Sequence, residues 1–105
     1  MPTRTPRMAQ IEALLVDDPT DTFLRYGLAM EHASAGDDAG AADHLSRLIA
    51  DTAYVPAFLM AGQILNRLNQ ADEACGVLRR GIAAAKEQGN THAEGEMAVL
   101  LASIE

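Results

Sequence analysis

Five short interruptions divide this chain so regularly that they dictate what it can become. They fall at Asp17-Asp18-Pro19, Gly36-Asp37, Asp51-Thr52, Asn69-Gln70 and Gly89-Asn90. Proline disfavours the α conformation in the residue before it, so Asp18-Pro19 stops a helix. Glycine just past a helix supplies the left-handed residue that closes its last turn. Between the interruptions apolar residues recur at three-and-four spacing, as in Met8, Ile11, Leu14 and Leu15, and no segment alternates as a strand would. The pattern predicts an all-α fold of about six helices joined by short turns. The segments run as a helix over 6–17, a hairpin over 20–51, a second hairpin over 55–88 and a last helix over 91–104. Thr5-Pro6 caps the first helix, Asp18-Pro19 both ends it and opens the next, and Pro56 lies in a first turn.

The core must be built without bulk. Nearly half the residues are apolar (49%), but only Phe23, Tyr26, Tyr54 and Phe58 are aromatic. Leu, Ile, Ala and Met have to fill the interior, and close backbone approach must replace large rings. The stretch FLMAGQILNRLNQADEACGVL, 58 to 78, shows how: Gly62 and Ala74 are small residues framed by Phe58, Leu65 and Leu78. The expected contact is helix against helix at Gly62 and Ala74, with Phe58 and Leu78 in the wider space between hairpins.

The two hairpins also repeat one another. Phe23, Gly27 and Met30 match Phe58, Gly62 and Leu65 at a shift of 35, and Ala41 and Leu45 match Ala74 and Leu78 at 33. The difference of two is assigned to a longer turn at Ser34-Ala35-Gly36. In the second hairpin the order Phe58, Ala61-Gly62, Leu65, then Ala74, Leu78 and Gly81 resembles the tetratricopeptide repeat (TPR), a helix-turn-helix unit. The resemblance spans two units over residues 20–86, with the first helix as a half-repeat and the last as a solvating cap. It implies a right-handed superhelix of antiparallel hairpins, and a concave groove lined by the first helix of each unit. Carried over by position, the groove residues are Leu24, Leu28, Glu31 and His32 in the first unit, and Leu59, Gln63, Asn66 and Arg67 in the second. Such a groove is half apolar and suits an amphipathic helix or extended peptide. A carboxylate clamp of the kind some relatives of this fold build would find only Asn66 and Arg67 as polar contacts.

Charge narrows the partners. A formal net charge of -7 repels phosphate and forgoes the counterion release that drives nucleic-acid binding. Arg4 and Arg7 make the N-terminus locally basic but form no patch of their own. No run approaches the length of a membrane span, and Gln10 and Glu12 interrupt what a signal peptide would keep apolar, so the expectation is a cytoplasmic protein away from membranes. Cys75, the lone cysteine, sits between Ala74 and Gly76 as a small packing residue.

No chemistry-bearing constellation emerges. His32, His44 and His92 lie on three different helices; His92 and Glu96 are one turn apart but lack a third ligand, so they read as exposed polar residues, and no metal is expected. Asp17-Asp18 and Asp37-Asp38 fall at helix ends, where capping accounts for them. With no phosphate loop and no activated nucleophile, the chain is expected to be no enzyme and to need no cofactor. Its expected role is an adaptor that binds a peptide or helix of another protein. The alternatives are a homodimer built on the same groove, or a groove covered by the chain's own first or last helix.

Overall fold

The computed structural model describes residues 4–105. Six helices follow in order: α1 (Pro6–Asp17), α2 (Thr22–Ser34), α3 (Asp38–Asp51), α4 (Val55–Arg67), α5 (Ala71–Glu87) and α6 (Thr91–Ile104). The class is all-α, as the punctuation requires. Most starts carry a side-chain cap that accepts one of the otherwise orphaned N–H groups of the first turn. Thr5 Oγ1 accepts from Met8 N–H at 3.1 Å, Asp37 Oδ1 from Gly40 at 2.9 Å and Asn90 Oδ1 from Ala93 at 3.1 Å. At α2 the expectation needs correcting. Asp18-Pro19 ends α1 but does not open the next helix; Asp21 does, accepting the Leu24 N–H at 2.9 Å.

The repeat is more regular than the sequence comparison suggested. α2 begins and ends 33 residues before α4, and α3 begins 33 residues before α5. The turns share one hydrogen-bond pattern: Asp37 N–H donates to His32 O at 2.8 Å and Gln70 N–H to Leu65 O at 2.9 Å. Each passes through one left-handed residue, Gly36 (φ 84°) and Asn69 (φ 61°). The Ser34-Ala35-Gly36 turn is therefore no longer than its counterpart, and the shift of 35 for the preceding helix is wrong. Phe23 is not the equivalent of Phe58. It is 75% exposed, and its ring meets Tyr54 edge-on at 5.8 Å. By the uniform offset Arg25, Leu28, Ala29 and His32 stand where Phe58, Ala61, Gly62 and Leu65 stand in the second unit. Leu28 and Ala29 are accordingly the two buried residues of α2.

Packing concentrates on α4 and α5. A Cβ placed on Gly62 would lie 2.5 Å from Leu78 Cδ2 and 2.7 Å from Leu78 Cγ. Leu78 is thus what Gly62 makes room for, rather than Ala74, which is buried in the same core. Gly81 repeats the device one turn on: its Cβ would meet Met97 Sδ at 2.5 Å and Phe58 Cβ at 2.6 Å. Missing methyls at these two positions let α5 close on α4 and α6 together. Arg80 lies over the outer side of Phe58, its guanidinium carbon 5.7 Å from the ring centroid. Gly27, by contrast, is not in a tight spot; a Cβ there would meet Ile11 Cδ1 of α1 at 3.8 Å, an ordinary contact.

α1 is held more lightly. Met8 is its one fully buried residue, and Leu14 and Val16 face solvent. The Thr5 hydroxyl donates to Glu31 Oε1 at 3.3 Å and Arg7 approaches Glu31 at 3.4 Å. Exposed or partly exposed pairs of this kind contribute up to about 1 kcal/mol each.

The glycines yield a paired prediction. Gly81→Ala gains helix propensity of about 1 kcal/mol but must push against Phe58 Cβ, which is close to backbone and cannot swing away. Its net effect in urea melts should be a loss of about 1–3 kcal/mol. A Cβ at Gly76 meets nothing within 4 Å, so Gly76→Ala should be neutral or up to about 1 kcal/mol more stable. Equal effects of the two substitutions would contradict the interlock.

Candidate functional site

An open cleft of about 690 Å³ runs between α4 and α6, lined by Leu59, Gln63, Thr91, His92, Gly95, Glu96, Val99, Leu100 and Ser103. It exists because α6 packs on α5 through Met97 at Gly81 while also reaching α4. Leu59 and Leu100 are half-buried against the core and form its inner wall. Val99 projects from α6 and is 73% exposed. Gly95 contributes no side chain, and a Cβ there would meet no atom within 4 Å, so the space over it is open. His92 Nε2 and Glu96 Oε1 are 3.0 Å apart along the rim, a one-turn surface pair. A concavity of this size with apolar walls and a few polar groups is the usual form of a binding site.

The residues expected to line a groove are distributed unevenly. Leu59 and Gln63 lie in the cleft wall. Asn66 and Arg67 are exposed at the end of α4, but Arg67 is already engaged, its Nε and Nη2 donating to the two oxygens of Asp38 at 3.1 and 2.9 Å. That fork holds the Asp38 carboxyl below its ordinary range, chiefly through the hydrogen bond. On α2, Leu24 and His32 are partly buried, and Leu28 is 4% exposed. Leu28 therefore cannot serve as an exposed groove residue, because the register of α2 is two residues from that assumed. The counterparts of Leu59, Gln63, Asn66 and Arg67 at the uniform offset are Tyr26, Met30, Ala33 and Ser34. Tyr26 packs edge-on against Tyr54, with centroids 5.3 Å apart, and burial, with Tyr54 second, raises its hydroxyl pKa. α6, expected as a solvating cap or as a cover over the groove, instead supplies the cleft's second wall.

No family model matches the chain. A TPR repeat-containing protein of Pseudomonas aeruginosa is 29% identical over 96 residues, 90% of this chain and 91% of the relative. The solution structure of a tetratricopeptide repeat domain protein from Salinibacter ruber superposes with a TM-score of 0.79 at 29% identity, over 84% of this chain and 90% of that one. The chain carries the tetratricopeptide-repeat fold. A crystal structure of the Salinibacter ruber domain agrees (TM-score 0.76, 27% identity, 80% of this chain and 94% of that one). A Bordetella parapertussis protein shares the fold at 22% identity, with a TM-score of 0.79 over 97% of this chain and 89% of its own.

The first unit departs from the second at two core positions, with Arg25 in the place of Phe58 and a histidine in the place of Leu65. His32 occupies the place of buried Leu65, and its Nδ1 lies 2.9 Å from Asp37 Oδ2. The His44 ring stands 4.8 Å from it, tilted by 32°. The Gly40 N–H and then His32 hold the Asp37 carboxyl below its usual range. Burial, and second the neighbouring His32, lower the His44 pKa from 6.5. Among the described residues no group of three or more His, Cys, Asp or Glu could hold a metal. A depressed histidine pKa means that the unfolded chain binds the proton first. The stability that neutral His44 contributes is complete above about pH 6.5 and declines as pH falls toward its lower folded value. His44→Leu should therefore gain melting temperature relative to the parent as buffers are taken from pH 7.5 to 5. Parallel pH profiles of the two proteins would contradict this assignment.

Proposed function

We propose that this tetratricopeptide-repeat chain is an adaptor that holds a helical or extended segment of another protein in the cleft between α4 and α6. The observation that carries the reading is the cleft itself. Leu59, Leu100 and the largely exposed Val99 present an apolar surface around the open space above Gly95, rimmed by Gln63, Thr91, Glu96 and Ser103. Apolar anchors entering such a groove bring most of the affinity, and the polar rim fixes register. Of the residues expected to line a groove along α2 and α4, Leu59 and Gln63 lie in the cleft wall. Asn66 extends the same helix, Leu24 and His32 belong to the flanking unit, and Arg67 serves the Asp38 pair.

A homodimer through the same face is the less supported arrangement. Two copies each carry a net charge of -7, and bringing like charges together works against association. The acidity argues equally against nucleic acid. Among the described residues no helix is long and apolar enough to cross a membrane, and cytoplasmic residence with no catalytic role completes the proposal.

Val99→Glu places a charge on the cleft's most exposed apolar residue, where little of the fold depends on it. A partner captured by the parent from native cell extract should be lost on this variant, with affinity reduced at least about tenfold, while the exposed Val16→Glu variant keeps it. Retention of the same partner by Val99→Glu, with unchanged affinity, would remove the cleft from the binding surface.

A further inference from the structure

We infer that the segment received by the α4–α6 cleft is cationic, an amphipathic stretch whose Lys or Arg side chains meet Glu96 while its apolar residues rest on Leu59, Val99 and Leu100. The inference rests on the cleft reading above and adds the chemistry of the occupant.

Its basis is where the charges go. The chain has eight Lys and Arg residues and fifteen Asp and Glu. Seven of the eight cations pair with carboxylates of this chain, and the eighth, Arg80, lies over the Phe58 ring. No Lys or Arg side chain lines the cleft to receive an anionic partner. Arg67, the residue best placed by sequence to do so, is held in a two-point fork by Asp38. Eight of the fifteen carboxylates, meanwhile, have no Lys or Arg partner, and Glu96 is one of them.

Glu96 is the one carboxylate lining the cleft, and its contact is the solvent-exposed imidazole of His92 at 3.0 Å. A guanidinium or ammonium on an incoming segment can replace that contact without leaving any buried charge unpaired. It would also enter a field that is negative overall, which raises encounter rates and makes binding fall with salt. An anionic segment, or one presenting a terminal carboxylate, would meet Glu96 with only the exposed His92 imidazole beside it and no Lys or Arg in the cleft lining. Gly95 and Glu96 are neighbours on α6 and both line the cleft, so one ligand segment can place an apolar anchor over Gly95 and a cation at Glu96.

Two synthetic helical peptides test this, with identical leucines at i and i+4 and either Lys or Glu at the flanking positions. The full chain is titrated with each while backbone and methyl NMR signals are followed. The expected result is that both shift Leu59, Gly95 and Val99, with the Lys peptide binding about five- to tenfold tighter at low salt. That advantage should collapse at about 0.5 M salt and in Glu96→Lys. Equal affinity for the two peptides, or tighter binding of the Glu peptide, with the cleft signals still moving, would overturn the cationic assignment and leave the cleft as the docking surface. If neither peptide moved the cleft signals, the cleft reading would be overturned, and this inference with it.

Discussion

The removal of two methyl groups governs the arrangement of this molecule. At Gly62 and Gly81 the helix backbone is bare where a neighbouring large side chain must pass, Leu78 in the first case and Phe58 with Met97 in the second. A glycine inside a helix costs about 1 kcal/mol relative to alanine. Burying a Leu or Phe side chain in the space so opened returns about 1.5–3 kcal/mol. The exchange favours close packing, and it lets a chain with very few aromatic residues form a continuous core from α2 through α6.

Everything that concerns binding is downstream of that exchange. α6 has one fully buried side chain, Met97, and it seats at Gly81. This docking sets the gap between α4 and α6, and the gap is the cleft. A helix that sealed against α4 along its whole length would leave Val99 covered and no concavity. Because α6 meets α4 less extensively than α5, an apolar strip stays in solvent at an appreciable cost, the kind of exposure that marks an interaction surface. The charges act separately. Ion pairs consume the cations locally and leave an acidic remainder, so the surface has a sign without any single strong bridge to define it.

The second hairpin was legible in the sequence because its small and large residues sit at the positions where packing needs them. Phe58, Gly62, Leu78 and Gly81 are all core, and their spacing alone located both helices. The first hairpin misled because Phe23 and Gly27 imitate Phe58 and Gly62 at the right mutual spacing but two residues out of place. The true positions hold Arg25, Leu28, Ala29 and His32, where an alanine replaces the glycine and two polar residues replace large apolar ones. Counting back from Ala41 and Ala74 through turns of equal length, Gly36-Asp37 and Asn69-Gln70, recovers the offset of 33 that residue identity obscured. The α6 wall was hidden for another reason. Whether a terminal helix caps a solenoid or lines its groove depends on how it docks, and that is decided by Gly81 on a different helix.

Unequal packing should also show as unequal stability. α4, α5 and α6 share one interlocked core, whereas α1 is attached through Met8, the Ile11 contact with α2 and surface pairs. Local opening then belongs to α1, and the cleft walls move as a unit. Native-state amide hydrogen exchange measures this most directly. If the glycine interlock organises the molecule, amides around Met97 to Leu101 in α6 open with the same free energy as those in the middle of α4 and α5, and those of α1 open earlier. Exchange of α6 near the rate of an unfolded chain, while α4 and α5 remain protected, would contradict the account.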